Sequence, residues 1–327
     1  MITQKSYIED IMSMLLSEAP LWITPNGYLR LFCTAFHIPS ASDKREQPSP
    51  HSESSVITYD ELVKKNCADL NSVMASQQSV DPVSLTCDYA SQDIPERSIA
   101  FYDIIGPVTY GSRWMFSSLR MEEQLKEAEA NPNIIAHFVH VDSPGGEAYY
   151  LDRLGETMKS LKKPIVGIYN MACSAAYHIA SHCRLLYANT SFDYVGCIGT
   201  MCSFYDFSEY YKNLGIRLVD VKADGSDLKN KMFDDLKNGK PRSYIERVLN
   251  PLNSHFLSIV KGNRPKLSGL EDDDPVLRGE TYYTEEAIGN GLSDGMKTTE
   301  EAIAECYRLG KEYADTVSLQ GEIYSKL

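Results

Sequence analysis

Residues 134–146, Ile134-Ile-Ala-His-Phe-Val-His-Val-Asp-Ser-Pro-Gly-Gly146, decide the predicted fold. The first part of this stretch is an apolar run of strand length, which is typical of a strand buried inside a parallel sheet. Pro144 and the two glycines that follow it end the run in a tight turn. The pattern after the turn predicts a helix over residues 147–161.

The alternation of strand and helix extends in both directions from this stretch. Upstream, residues 98–105 predict a strand and Ser117 predicts the N-cap of the next helix. Downstream, residues 165–169 and 184–188 predict buried strands on either side of a helix at 175–182. Strands joined by helices pair in parallel through right-handed crossovers. We therefore predict an α/β fold with a parallel sheet, whose ligands bind at the carboxyl ends of the strands.

The composition divides the chain into four segments. Residues 1–37 contain an amphipathic helix pattern and an apolar stretch, which predict a small, mostly helical N-terminal segment. Residues 38–58 are rich in Pro, Ser and charged side chains, and predict a disordered linker. Residues 59–97 predict a connecting helical segment, and residues 98–327 form the main domain.

Charge and hydropathy limit the partners of the chain. Its 327 residues include 32 basic and 45 acidic side chains, a formal net charge of −13. This charge repels phosphate backbones, and no dense basic patch counters it, so we expect no nucleic-acid partner. Acidic residues interrupt the apolar pattern at 8–23, and no other segment predicts a membrane span or a signal peptide. We therefore expect a cytoplasmic protein without a membrane partner.

The cysteines and histidines do not form a recognisable metal site. His178 and His182 lie one helical turn apart, but no acidic third ligand accompanies them in a known pattern. The eight cysteines lack both the paired spacings of a zinc site and the density of a disulfide framework. We expect free thiols in a reducing compartment, and neither a metal nor another cofactor. The cysteines are Cys33, Cys67, Cys87, Cys173, Cys183, Cys197, Cys202 and Cys306.

Ser174 is the candidate nucleophile. It precedes the first turn of a predicted helix, where N–H groups lack partners within the helix. Gly145 and Gly146 lie in the turn after the preceding strand, where glycine lets the backbone approach a substrate and offer N–H groups to an oxyanion. The structural alternatives are a plain helix cap at Ser174 and a plain turn at 144–146.

A nucleophilic serine needs a base, which is most often a histidine. None of the seven histidines lies between His182 and His255, where a partner at a strand end would be expected. His137 and His140 are three residues apart on one strand, so their side chains project to opposite faces and cannot serve one site together. The residues alone leave the base open.

Several motifs resemble the signal peptide peptidase A family, which includes phage head-maturation proteases. They are Val141-Asp-Ser-Pro-Gly-Gly146, Ala172-Cys-Ser-Ala-Ala-Tyr-His-Ile-Ala180, Gly196-Cys-Ile-Gly199 and the later Gly291-Leu-Ser-Asp294. The resemblance covers about residues 98–296. The sequence departs from the family at Cys173, Ala175 and Ala176, where the family has alanine and two glycines.

The resemblance implies a fold and a dyad. The fold is a ClpP/crotonase-like spiral of ββα units, and the serine's base is a lysine that follows a strand well downstream. Here Ser226-Asp-Leu-Lys-Asn230 resembles that segment, so Lys229 is the predicted general base. Lys222, on a strand predicted at 216–222, is the second choice, and a solvated helical face is the ordinary alternative for both lysines.

The same resemblance implies how the reaction is supported. The N–H groups of Gly146 and Ala175 would hold the oxyanion, and Gly145 would shape the turn and contribute to it. A polypeptide substrate would bind as an added strand along an exposed edge. Family members form ring-like homo-oligomers, and some complete the site across subunits, so we expect a homo-oligomer here.

The first functional hypothesis is a serine endopeptidase of phage head maturation. Its substrates would be scaffold and capsid proteins, and its location the host cytoplasm or the prohead interior. A cellular cytosolic peptidase of the same family is an alternative. Two further alternatives are a crotonase-type acyl-CoA enzyme and an inactive assembly scaffold that keeps the fold without the chemistry.

Overall fold

The structure is a computed structural model that describes residues 21–23, 57–76, 83–204 and 206–325. The predicted helix within residues 8–16 and most of the predicted linker 38–58 lie outside the described residues. In chain order the elements are β1 Leu21–Ile23, α1 Tyr59–Ser76, β2 Leu85–Thr86, β3 Ser98–Ile105, α2 Ser118–Ala130, β4 Ile134–Ser143, β5 Gly145–Glu147, α3 Leu151–Ser160, β6 Ile165–Cys173, α4 Ala175–Ala180, β7 Leu185–Ala188, β8 Tyr194–Gly196, α5 Ser208–Asn213, α6 Lys231–Lys237, α7 Arg242–Tyr244, α8 Asn250–Asn263, β9 Thr281–Tyr283, α9 Thr284–Asn290, β10 Gly295–Met296 and α10 Thr299–Ser325.

The main sheet contains six parallel strands in the order β10-β7-β6-β4-β3-β2, and β8 and β9 extend it beside β6, with β9 antiparallel to β8. The long β6 changes partner along its length, because its first half pairs with β7 and its last three residues pair with β8. A register shift between Val141 and Asp142 skips Asn170 in the pairing of β4 with β6. The sheet therefore bends just before β6 ends.

Helices cover both faces of the sheet. On one face α2, α3, α4 and α8 enclose a core that includes Tyr102, Val139 and Tyr169. On the other face α1 and α10 pack over Phe101, Phe138 and Ile168. Successive side chains along each strand point to opposite faces, so every central strand contributes to both cores. This is expected for a sheet that is buried on both sides.

The predicted fold class, α/β with a parallel sheet, is confirmed. The order β4, β5, α3 forms a ββα unit of the predicted kind. β3 has the predicted bounds, and Ser117 caps α2 as predicted by accepting a hydrogen bond from the Arg120 N–H at 3.3 Å. Residues 59–97 contain α1 and also β2, which extends the main sheet by pairing with β3.

Two predictions about elements are wrong. The helix predicted over residues 147–161 begins only at Leu151, because Gly145–Glu147 form β5 instead. The strand predicted at 216–222 does not form within the described chain. Its apolar side chains are exposed, at 79% for Leu218 and 89% for Val221, so no strand within the described part of the chain covers them.

Candidate active site

Ser174 joins β6 to α4 with a strained backbone. Its φ of 56° and ψ of −119° are values that a non-glycine residue adopts at a cost of about 1–3 kcal/mol. The Ser174 N–H donates to the Gly196 carbonyl at 2.8 Å, and its own carbonyl accepts from the His178 N–H at 2.9 Å. A strained strand-to-helix turn also presents the catalytic serine in α/β-hydrolases.

The hydroxyl of Ser174 does not cap α4. The plain helix-cap alternative for this serine is therefore not supported. The Ser174 side chain instead contacts the Cys197 thiol through a hydrogen bond. Burial raises the pKa of Cys197, and the hydrogen bond from Ser174 offsets part of that rise. Ser174 is only 1% exposed in the single chain.

β5 lies beside the serine, because β4 and β6 are neighbouring parallel strands that end together. Ser143 on β4 pairs with Ala172 on β6, and β5 contacts α4. The turn therefore brings Gly145, Gly146, Ser174 and Ala175 into one region. This places two of the predicted oxyanion donors next to the predicted nucleophile.

Both glycines have structural reasons for being glycine. Gly145 has a φ of 98°, which side chains disfavour. A Cβ on Gly146 would lie 2.0 Å from the Val108 carbonyl oxygen. The Gly145 N–H donates to Ser143 Oγ at 3.2 Å, so this amide is already engaged in shaping the turn.

The two edges of β5 pair with different segments of the chain. On one side Val108 exchanges hydrogen bonds with Gly145 and Glu147, each at 2.9 Å. On the other side β1 pairs antiparallel with β5, with Leu21 opposite Glu147 and Ile23 opposite Gly145. β1 also contacts α4. The edge of β5 beside Ser174 therefore accepts an extended strand.

Lys229 does not contact Ser174 within the single chain. It lies in an exposed turn after Asp224–Ser226, and its N–H donates to the Ser226 carbonyl at 3.0 Å. Within residues 57–76, 83–204 and 206–325 its ammonium group has no hydrogen bond or ion pair. Lys222, the second choice, forms an ion pair with Asp234 at 3.1 Å between Nζ and Oδ2.

The other buried bases of the described chain have structural roles. Lys163 donates to the carbonyls of Ala128 and Asn131 at 2.8 and 2.7 Å, and burial lowers its pKa to about 8. It precedes β6, whereas Ser174 follows β6. A strand of nine residues separates the two by roughly 30 Å, so Lys163 cannot serve this serine.

His178 and His182 pack together on α4, with ring centroids 5.3 Å apart. Burial lowers the pKa of both, that of His182 to about 4, so both are neutral near pH 7. His182 Nδ1 donates to the His178 carbonyl at 2.8 Å, which assigns the proton of the neutral ring to Nδ1. These features fit the structural role predicted for the pair.

A cavity of about 430 Å³ opens next to the Gly196–Gly199 motif. Ile198, Gly199 and Arg278 line it together with Asn250 and Asn253 of α8. Ile198, which lines the cavity, directly follows Cys197, and Cys197 contacts Ser174. The cavity therefore lies close to the serine. It offers room for a substrate side chain.

Sequence reasoning missed two neighbours of the site. The sequence analysis did not predict a role for Cys197, although its position inside the motif Gly196-Cys-Ile-Gly199 indicated one. Val108 carries no sequence signal, because it acts through its backbone groups. The residue type of Ser174 also does not predict its strained backbone conformation.

The region that contains Ser174 is similar to known proteases. The family model described as peptidase family S49 matches residues 156–312, which include Ser174 and Lys229. A candidate signal peptide peptidase SppA of Enterococcus faecium is 24% identical over 198 residues, covering 59% of this chain and 56% of its own. Protease 4 of Haemophilus influenzae is 26% identical over 59% of this chain and 31% of its own. The chain thus spans about half, or less, of the length of these relatives.

A solved structure of a candidate enoyl-CoA hydratase/carnithine racemase from Magnetospirillum magneticum is 16% identical, with a TM-score of 0.34 over 62% of this chain and 70% of its own. Both the sequence identity and the structural similarity to this protein are low. Within the described residues, no helix has the length and apolarity needed to cross a membrane. Residues 156–312 are thus similar to peptidase family S49, and this match and the protease-named relatives support the predicted peptidase.

Proposed function

We propose that the chain is a serine endopeptidase with Ser174 as nucleophile. The observation that carries the proposal is the strained backbone of Ser174 at the end of β6, inside the region that matches a peptidase family. Ser174 Oγ would attack the peptide carbonyl carbon, and the N–H groups of Ala175 and Gly146 would hold the oxyanion. Water would then release the acyl group from Ser174.

The proposed general base is Lys229 of a neighbouring copy of the chain. Its Nζ would accept the Ser174 proton and later give it to the leaving amine. A lysine acts as a base only where burial disfavours its charged form. Lys229 is exposed in the single chain, so a partner that buries it is required.

The surface around Lys229 supports a second copy as that partner. Residues 206–240 expose large apolar side chains next to one another, which is unusual for a surface that faces only water. A cavity of about 720 Å³ lies among Phe207, Tyr211 and Ile216. The exposed apolar residues are Tyr210, Tyr211, Leu214, Ile216, Leu218, Val219, Val221 and Leu228.

The proposed substrate is an extended polypeptide that adds, in place of β1, to the edge of β5 beside Ser174. Strand addition gives affinity through main-chain hydrogen bonds and specificity through pockets for alternate side chains. The pairing of β1 with this edge supports the proposal, because it places an extended segment beside Ser174. The cavity beside Ile198 would receive one side chain.

A finer proposal is that the substrates are scaffold and capsid proteins of a phage head, cleaved in the host cytoplasm or the prohead. It rests on the motif resemblance of residues 98–296 and on no observation of the site. Co-expression with the neighbouring capsid genes tests it. Processing of those proteins by wild type and not by Ser174→Ala is expected, and intact capsid proteins beside an active enzyme would contradict it.

The peptidase proposal is tested by cleavage of an unfolded protein, read by gel and intact mass. Wild type should cleave, and Ser174→Ala and Lys229→Ala should each lose at least about a thousandfold in rate while remaining folded. Lys231→Ala is the matched control, because it removes an exposed lysine two positions away. Cleavage by Lys229→Ala would make Lys222 the next candidate. A wild type that neither cleaves nor acylates at Ser174 would favour the inactive scaffold.

A further inference from the structure

Cys67 and Cys87 form a thiol pair outside the candidate active site. Cys67 lies on α1 and is 4% exposed, whereas Cys87 follows β2 and is partly exposed. The two thiols are hydrogen-bonded to each other, and both side chains pack in the core between α1 and the sheet. The proposed peptidase reaction uses neither residue.

A side-chain clamp sets the register that brings these thiols together. The Asn71 amide on α1 donates to the Leu85 carbonyl and accepts from the Leu85 N–H, both at 2.8 Å. Cys67 lies one helical turn before Asn71, a rise of about 6 Å, and Cys87 lies two strand residues after Leu85, a rise of about 6.6 Å. The matched spacings place Cys67 opposite Cys87. The Asn71 amide also donates to Cys67 Sγ at 3.9 Å.

The hydrogen bond makes the two thiols chemically unequal. The bond from Cys67 lowers the pKa of Cys87 to about 7, against the opposing effect of burial. The same bond raises the pKa of Cys67, and burial adds to that rise. Among charged neighbours, Lys64 of α1 favours the Cys87 thiolate, while Asp88 next to Cys87 and Asp103 of β3 near Cys67 oppose ionisation. Cys87 is therefore the better nucleophile of the pair.

Cys87 is reachable by a small oxidant. It lines a cavity of about 260 Å³ between α1 and α2. The charged residues that border this cavity are Lys64, Arg120, Asp60, Asp88, Asp103 and Glu127. Cys67 is buried and does not line this cavity.

We propose that Cys87 and Cys67 are a peroxide-responsive disulfide site, with Cys87 as the oxidised thiol and Cys67 as the resolving thiol. The Cys87 thiolate attacks the O–O bond of hydrogen peroxide, forming a sulfenic acid and releasing one water after protonation. Cys67 Sγ then attacks Cys87 Sγ, the S–O bond breaks, and the leaving hydroxide takes the Cys67 proton as a second water. Two thiols and one peroxide thus give one disulfide and two waters. The disulfide joins α1 to β2 covalently.

The test treats the full chain with hydrogen peroxide under native conditions, alkylates the remaining thiols and maps the peptides by mass. The expected product is a peptide pair that links Cys67 to Cys87 and disappears on reduction. Cys67→Ser should trap the sulfenic acid, seen as a dimedone adduct on Cys87. Cys87→Ser should leave Cys67 unoxidised. Asn71→Ala, which keeps both thiols, should form the disulfide severalfold more slowly.

The matched control is Cys202→Ser, which removes another partly exposed thiol and should behave as wild type. In wild type, alkylation of Cys87 should rise with pH around 7 and precede that of Cys197 and Cys202, a readout that needs no variant. Oxidation of Cys197 or Cys202 ahead of Cys87 would overturn the proposal. So would a Cys67→Ser protein that gives no adduct on Cys87.

Discussion

At the scale of single residues, Gly146 is where the geometry of β5 is most tightly fixed. A Cβ there would meet the Val108 backbone at 2.0 Å, and a backbone atom cannot move aside as a flexible side chain can. We predict that Gly146→Ala lowers the free energy of unfolding by about 2 kcal/mol or more, as overpacking does. Urea unfolding measures it. Gly111→Ala, which has open space around it, is the control, and equal losses in both variants would contradict the account.

His140 is a second residue with a measurable role, in a buried polar network. Its Nδ1 lies 2.7 Å from Asp103 Oδ1 and its Nε2 lies 3.1 Å from Asn170 Oδ1. Burial alone would lower the pKa of His140, but the hydrogen bond to Asp103 and the charge of that carboxylate raise it overall. The folded pKa is therefore above the unfolded value. The stabilisation is full below the unfolded pKa of about 6.5 and is lost as pH rises through the folded pKa.

We accordingly predict that His140→Gln loses about 2 kcal/mol of stability near pH 6, the size of a charge-assisted hydrogen bond, and less at higher pH. Urea unfolding at several pH values measures the difference from wild type. His255→Gln, at an exposed position on α8, should change little at any pH. A loss for His140→Gln that does not depend on pH would show that the imidazolium is not the stabilising form.

Among the helices and strands, the sequence predicted those features that depend on residues close together in the chain. Ser117 was predicted as a cap because its hydroxyl accepts from an amide only three residues away, and the run at 134–141 predicted β4 because a strand buried on both faces must be apolar throughout. β5 was missed because its partner Val108 lies far away in sequence. The strand predicted at 216–222 has an alternating pattern but pairs with no strand among the residues that the structure describes.

β1 provides a test at the same scale. It occupies the edge of β5 where a substrate strand would add, so it should compete with substrate. Trp22→Pro, which disrupts strand pairing through the fixed φ and the missing N–H, should lower the KM for peptide substrates severalfold with little change in kcat. Trp22→Phe retains the backbone N–H and is the control. An unchanged KM in Trp22→Pro would mean that β1 does not obstruct this edge.

At the scale of the whole molecule, the exposed apolar surface around Lys229 predicts an oligomer. Leu218 and Val221 are 79% and 89% exposed, and charges placed there should prevent a partner from covering them. We predict that Leu218→Asp with Val221→Asp yields a folded monomer without peptidase activity. Light scattering and circular dichroism check assembly and fold. A monomer that is fully active would contradict the shared site, and Val317→Asp, also exposed but on α10, is the control.

Subunit mixing tests whether Ser174 of one copy works with Lys229 of another. Ser174→Ala and Lys229→Ala are each inactive on this account. After dissociation and reassembly at equal amounts, about a quarter of the subunit junctions should pair an intact Ser174 with an intact Lys229. The account therefore predicts about a quarter of wild-type activity in the mixture. Reassembled mixed oligomers without activity would contradict a site shared between copies.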